Sequence, residues 1–395
     1  MRAPFENIDL RIALYHPWIY VKSGLERTIM EIKRRSRHDW VIYTGHYDAQ
    51  GTYPELMDME VRELKKVSVR RNYGDVISAG LTIASTKIDD PGIDALLVSC
   101  DGLGSFITFA NPSLPAACLC FTPLRAVYDP AYRKRVLSSG RFKSILQLLV
   151  EKIYHRIDRL AWRRYRHVFC ISHEVEKRVL NAGLCDSSRI EIAYPGIDAE
   201  HRCISEQREK FFFLPGRIMW TKNLELAIES FLRFQSEMGA DFSLIIAGMV
   251  DAKSKVYLDR LQKLAGGNTG IKFILNPTDS EMQDYYRRCY MVLFTAFNED
   301  LGITPMEAGT FGKATIAVNR GGPCEVIVND QTGLLVEPEV GAFCAAMSRM
   351  VSHPDEAVRM GIGSFHRSER FTWDRFVASI DVYFDKLALE GAQHR

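Results

Sequence analysis

Four side chains in the second half of the chain have types and an order suited to a charged, hydroxyl-bearing ligand. Arg217 and Lys222 follow a short apolar run and a Pro215-Gly216 turn, and a helical pattern follows them. Strand, glycine turn, basic pair and helix together describe a diphosphate pocket, because cations and backbone N–H groups both favour phosphate oxygens. Farther on, Glu299 and Glu307 stand with seven residues between them and bracket a Gly302-Ile303-Thr304-Pro305 turn. Carboxylates placed in a turn and in the first turns of a helix can face different parts of one ligand and accept hydrogen bonds from its hydroxyls. Sugar and ribose hydroxyls are the obvious donors. Taken singly these are ordinary features: two surface cations near a loop, and a solvated helix start with a capping carboxylate.

The stretch 298–338 supplies the elements that hold the second pair. A helix is expected over 305–311, since Pro305 suits a first helical turn where its missing N–H costs nothing. Gly312 and Lys313 end it, a strand follows over 314–318, and Gly321-Gly322-Pro323 opens another helical turn. Small residues ahead of a helix let backbone N–H groups approach a phosphate, so this stretch reads as an anion site. Around it, apolar runs at 211–214, 242–247 and 271–275 alternate with helical patterns at 224–234, 256–264 and 280–289. Such alternation predicts a parallel sheet, with the loop 276–279 a candidate base pocket.

The first half repeats the style. A buried strand is predicted at 10–15, then a loop centred on Gly24, then a helix over 28–35, the phosphate-cradling order of doubly wound sheets. An ordinary strand-to-helix turn would look the same. Further strands are predicted at 41–44, 95–99, 117–121 and 168–172, with a helix at 174–182 capped by Ser172, whereas 48–58 and 67–78 carry no readable pattern. The charged run 200–210 reads as a linker, and 371–387 as a terminal helix.

A chain of 395 residues is long enough for two domains with substantial cores. Its net charge of +2 gives no whole-chain field that would point to nucleic acid. Nine scattered cysteines without a Cys-x-x-Cys pair argue against a disulfide frame or structural zinc and for reduced thiols in the cytoplasm. The amino terminus lacks a basic-then-apolar signal pattern, and apolar runs such as 243–250 and 291–297 fall short of the roughly 20 residues a membrane span needs. There is no Asp-x-Asp triplet, the usual means of gripping a nucleotide sugar through a divalent ion. A metal-independent reaction, with no metal site, is therefore expected.

The ordered run Glu299-Asp300-Leu301-Gly302-Ile303-Thr304-Pro305-Met306-Glu307, followed by Gly321-Gly322-Pro323-Cys324-Glu325, resembles the signature of retaining glycosyltransferases of family 4, especially mannosyltransferase-like members. The Gly216-Arg217 and Lys222-Asn223 element is similar to that family too, and so, more loosely, is Ser23-Gly24-Leu25-Glu26-Arg27. The resemblance implies an α/β fold of the GT-B type, two facing Rossmann-like doubly wound domains with a cleft between them. It divides the chain into an acceptor-binding domain (1–198), a nucleotide-sugar-binding domain (199–370) and a helix (371–395) crossing back to the first. It implies that Arg217 and Lys222 hold the two phosphates and that Glu299 orients the sugar. Glu307 would bind the ribose, and Gly24, Gly216 and the backbone of Gly302, Ile303 and Thr304 would approach the donor. The nucleotide sugar is then a substrate, no cofactor is required, and the acceptor is a glycan or lipid-linked hydroxyl.

One position departs from the family. Phe121-Thr122-Pro123-Leu124-Arg125 is similar to a stretch that usually begins with histidine, thought to hydrogen-bond the primary hydroxyl of the transferred sugar. Phenylalanine offers only apolar contact, which points to a 6-deoxyhexose or pentose donor. The equal alternative is that Phe121 packs in the core and His16 makes the contact to a mannose-like hexose; His16 and Arg125 are the acceptor-side candidates. Two other classes stay open: a nucleotide-sugar epimerase, and a nucleotide-sugar-binding scaffold subunit without catalysis.

Finally, 131–167 is strongly basic, with eleven Lys and Arg, Arg133 through Arg166, against Glu151 and Asp158, and with apolar residues at helical spacing. It reads either as a core helix with a solvated basic face or as a surface for anionic lipid at the inner face of the membrane. Stacking aromatics and a recognisable nucleic-acid module are missing.

Overall fold

The computed structural model describes residues 9–70, 72–100, 102–130, 132–133, 141–198, 200, 202–251 and 253–393. Within 131–167, the expected basic residues Lys134 and Arg135 lie outside that set, as do the side chains of Arg141 and Lys143. The chain forms two compact units, Met1–Pro195 together with Trp373–Arg395, and Gly196–Thr372.

In the first unit the elements run β1 (Arg11–Tyr15), α1 (Gly24–Arg35), β2 (Asp39–Thr44), β3 (Val61–Glu63), α2 (Tyr73–Ala84), β4 (Ala95–Cys100), β5 (Ala116–Cys120), α3 (Arg125–Tyr128), α4 (Arg141–Trp162), β6 (Tyr165–Cys170), α5 (His173–Asn181) and β7 (Ile190–Ile192). All pairs are parallel, in the order β3-β2-β1-β4-β5-β6-β7. The apolar runs of β1, β4 and β5 are buried along almost their whole length, as strands covered on both faces must be. The stretch 67–78, unreadable as sequence, contains the start of α2, which Asn72 caps by accepting the Asp75 N–H at 2.9 Å. Ser172 caps α5 in the same way, through the Val175 N–H.

The second unit runs β8 (Phe211–Pro215), α6 (Leu224–Met238), β9 (Ser243–Gly248), α7 (Lys255–Ala265), β10 (Ile271–Leu275), α8 (Asp279–Arg288), β11 (Met291–Phe294), α9 (Ile303–Thr310), β12 (Thr315–Val318), α10 (Pro323–Val326), β13 (Gly333–Val336), α11 (Val340–Ser352) and α12 (Pro354–Ser368). Its sheet is again all parallel, in the order β10-β9-β8-β11-β12-β13. Strand alternation sends Phe212, Leu214 and Leu244 to one face against Phe231 and Phe343, and Phe211, Phe213 and Ile245 to the other. On that second face they meet Tyr286 of α8 and Ala308 and Phe311 from the end of α9. This packing brings α8 beside α9.

Residues 202–208 do not behave as a free linker. The Cys203 and Ser205 N–H groups donate to the Thr310 and Phe311 carbonyls at 2.9 and 3.0 Å, and Arg208 reaches the Gly312 carbonyl at 3.3 Å. The fully buried Lys313 donates to the Gln207 carbonyl. The first three bonds satisfy carbonyls at the end of α9 that the helix leaves without partners, and the lysine holds the segment from the other side, which explains why a charged, loop-like sequence is fastened to the unit. The last helix, α13 (Trp373–Gln393), belongs to the first unit. There Asp374 pairs with Arg35 at 2.7 Å, Asp381 accepts from Ser36 at 2.5 Å, and Tyr383 stacks on His167.

Candidate functional site

In an open parallel sheet, ligands bind beyond the carboxyl ends of the strands at the point where strand order reverses. In the second unit that point lies between the neighbours β8 and β11, and the chain leaving each strand carries a candidate residue. After β8, Gly216 donates its N–H to the Ala247 carbonyl at 3.0 Å and a short 3-10 turn, Trp220–Lys222, leads into α6. After β11, Thr295 donates its hydroxyl to the Lys222 carbonyl at 2.9 Å, and the Phe297 N–H donates to the Thr221 carbonyl at 2.7 Å. The two loops are thereby stitched together.

At their meeting point Lys222 Nζ lies 2.7 Å from Glu299 Oε2. The side chains are 22% and 23% exposed, and Nζ also sits 5.6 Å from the centre of the Phe294 ring. A pair this accessible adds little stability. Its consequence is chemical, because a lysine held at a strand end by an exchangeable carboxylate can pass to a phosphate. Arg217, its expected companion, is exposed on the same loop.

The Glu299 loop is held by shape. Gly302 has φ 88°, a conformation glycine adopts without strain, and it turns the loop into α9 at a helix start without a side-chain cap. Gly321 and Gly322 were expected to admit a phosphate. They instead admit this loop: a Cβ on Gly322 would stand 2.2 Å from Leu301 Cα, and the Gly322 N–H donates to the Glu299 carbonyl at 3.1 Å. The Gly-Gly pair therefore seats the turn that aims Glu299 and the backbone of Gly302, Ile303 and Thr304.

Glu307 lies on α9, half-buried, where Tyr286 of α8 donates its hydroxyl to Oε2 at 2.6 Å. Burial pushes its carboxyl above the usual range, the Tyr286 bond and Lys222 pull it down, and Asp198 and Asp279 push it up again. Nothing in the sequence marks Tyr286, Phe294 or Thr295, since a tyrosine inside a helical pattern and residues closing an apolar strand look like core. In the loop 276–279, Asn276 is committed to the Val250 N–H at 2.9 Å and Thr278 to a capping box with Glu281.

In the first unit the corresponding reversal lies between β1 and β4. His16 follows β1, is buried, and places Nδ1 3.3 Å from the Ser99 carbonyl of β4. Phe121 follows β5, half-buried, with its N–H 3.4 Å from the Cys100 carbonyl, so the two flank the end of β4. Gly24 is the first residue of α1, behind Ser23, whose hydroxyl accepts the Leu25 N–H. Arg125 opens α3 and stands 5.4 Å from the Tyr132 ring centre and 3.9 Å from Asp129.

Helix α4 has three faces. Its acids turn inward: Glu151 binds Arg133 at 2.8 Å, and Asp158 accepts the Tyr128 hydroxyl at 2.7 Å, its carboxyl pushed up to about 7 by burial. Leu149, Ile153, Ile157 and Leu160 form an exposed row, with the exposed cations Lys152, Arg156, Arg159 and Arg163 beside it. Phe106 packs against Tyr154 of α4 and beneath Gly80 of α2, whose own Ile77 and Leu81 are exposed. No described helix is long and apolar enough to cross a membrane.

Residues 199–366 match the family model described as glycosyl transferases group 1. The chain is 30% identical over 194 residues to the alpha-1,3/1,6-mannosyltransferase ALG2 of Dictyostelium discoideum, covering 45% of this chain and 46% of that protein. It is 26% identical to the protein of that name from Debaryomyces hansenii, over 90% of this chain and 86% of the relative. The matched region thus spans about half the length of the Dictyostelium relative and most of the Debaryomyces one. Anabaena HepE, solved in complex with UDP and glucose, superposes with a TM-score of 0.73 over 95% of this chain and all of that one at 15% identity. The chain has the GT-B fold. Residues 199–366 resemble a group 1 glycosyltransferase domain, and the chain is similar to glycosyltransferases of family 4.

One test of this geometry is Gly322→Ala. Displacing the Glu299 loop should destabilise the second unit by about 2 kcal/mol, within the usual range for overpacking, and lower its urea midpoint. An unchanged midpoint would mean the loop is not seated on this glycine.

Proposed function

We propose that the chain is a retaining, metal-independent glycosyltransferase that moves a sugar from a nucleotide-sugar donor to a hydroxyl of a glycan or lipid-linked acceptor. The observation that carries this reading is the Lys222–Glu299 pair at the strand-order reversal, beside the start of α9. Lys222 and Arg217 take the two phosphates, helped by the N–H groups of Gly302, Ile303 and Thr304. Glu299, released from the lysine, accepts hydrogen bonds from the sugar hydroxyls, and Glu307 accepts those of the ribose. The bond from the anomeric carbon to the phosphate oxygen breaks and a bond to the acceptor oxygen forms on the same face. The acceptor proton passes to the departing diphosphate, so no cofactor or side-chain nucleophile is needed. In the first unit, Gly24, His16 and Arg125 serve the substrates.

Phe121 sets the donor sugar. A half-buried ring that cannot hydrogen-bond favours a 6-deoxyhexose or pentose, because a 6-hydroxyl placed against it would lose its partner. The names of the mannosyltransferase relatives favour a second reading, a mannose-like hexose with His16 as the polar partner.

The outward face of α4 suits an anionic membrane surface, so the enzyme works as a peripheral protein on the cytoplasmic side. An apolar row bordered by cations, with both helix acids turned inward, is the pattern of a helix lying in a headgroup layer.

Three measurements check these readings. Thermal shift against UDP, GDP, ADP and dTDP should select one nucleotide, with the shift lost in Lys222→Ala and Glu307→Ala. Donors on that nucleotide should then turn over faster without a 6-hydroxyl, whereas preference for the hydroxylated sugar assigns the mannose-like reading. Separately, the chain should co-sediment with phosphatidylserine-containing vesicles and not with pure phosphatidylcholine. The double change Lys152→Ala with Arg156→Ala should weaken that binding about tenfold or more, at roughly 1 kcal/mol per cation. Equal partitioning to both vesicle types would overturn the membrane reading.

A further inference from the structure

Glu307 has a partner that the donor reading leaves unused. Tyr286 is buried, and its ring is fixed on two sides: parallel to Phe311 at 5.8 Å and 6°, and edge-on to Phe213 at 5.1 Å. Phe311 is the C-cap of α9, one turn beyond Glu307. The ring thus rests on the end of the helix while the hydroxyl reaches back to Glu307 Oε2 at 2.6 Å. With the ring locked, the position of that hydroxyl is set by packing.

The influences on the Glu307 carboxyl fall into two sets. Burial, with Asp198 ahead of β8 and Asp279 at the start of α8, opposes its anionic form, while Tyr286 and Lys222 support it. A diphosphate on Lys222 would offset the lysine charge, and Tyr286 would then be left as the supporting group. A carboxylate that must accept hydrogen bonds from hydroxyls needs that support most when the donor is bound.

Resting on the donor reading above, we propose that Tyr286 is a positioning residue for the nucleotide: its hydroxyl orients Glu307 and keeps it anionic once Lys222 engages the diphosphate. Phenylalanine at this position keeps the stacked ring and removes only the hydroxyl, with its bonds to Glu307 and Thr304, so Tyr286→Phe separates packing from hydrogen bonding.

The test is calorimetric binding of UDP, GDP, ADP and dTDP to the full chain between about pH 5.5 and 8.5, using wild type, Tyr286→Phe and Glu307→Gln. Wild-type affinity should fall as pH falls and Glu307 takes up a proton. Without the tyrosine hydroxyl the carboxyl protonates at higher pH, so the affinity of Tyr286→Phe should fall away at higher pH than that of wild type and rejoin it at the alkaline end of the range. Glu307→Gln should be weak and flat with pH. The 2′,3′-dideoxy analogue of whichever nucleotide binds should not distinguish Tyr286→Phe from wild type, because it lacks the hydroxyls Glu307 would accept.

The proposal is overturned if Tyr286→Phe matches wild type at every pH, or if it loses the same factor at every pH and for the dideoxy analogue, which is the mark of a merely structural role. If wild type binds none of the four nucleotides, the donor reading itself fails and this inference falls with it.

Discussion

The contact on which the candidate site depends is the ion pair between Lys222 and Glu299. It forms because β8 and β11 are neighbours although 75 residues separate the end of one from the start of the next. Strand order places both chain exits at one end of the sheet, and the Thr295 and Phe297 hydrogen bonds hold the exits together. A cation so placed needs a counter-charge without ligand and an anionic ligand can replace that counter-charge. The glycines at 321 and 322 then acquire a physical reason: only residues without a Cβ let the Glu299 loop lie flat enough to reach the lysine.

Much of the framework was legible in the chain. Apolar runs bounded by glycine and alternating with helical patterns foretell parallel sheets, and β10 falls on its expected residues, 271–275. Edges were less legible: α9 starts two residues ahead of Pro305, because Gly302 at φ 88° lets the turn wind directly into the helix. The short strands β3 and β7, three residues each, carry too little pattern to stand out, and α2 was hidden by its small residues and two glycines.

For the candidate site, residue types were legible and pairings were not. Glu299 and Lys222 could be named separately, but their contact follows from strand order, which spacing does not encode. The Tyr286 hydroxyl has the same origin, since α8 and α9 meet only because both cover one face of the second sheet. In the first unit, basic residues on α4 were evident, whereas the inward turn of Glu151 and Asp158 depends on Arg133 and Tyr128, both distant in sequence.

A crystal structure of the chain with a bound nucleoside diphosphate would test the exchange at Lys222 most directly. The expected result is Lys222 Nζ within about 3 Å of a phosphate oxygen, hydrogen-bond distance, with the 2.7 Å contact to Glu299 broken. Nucleotide bound elsewhere, with Lys222 and Glu299 still paired, would contradict it.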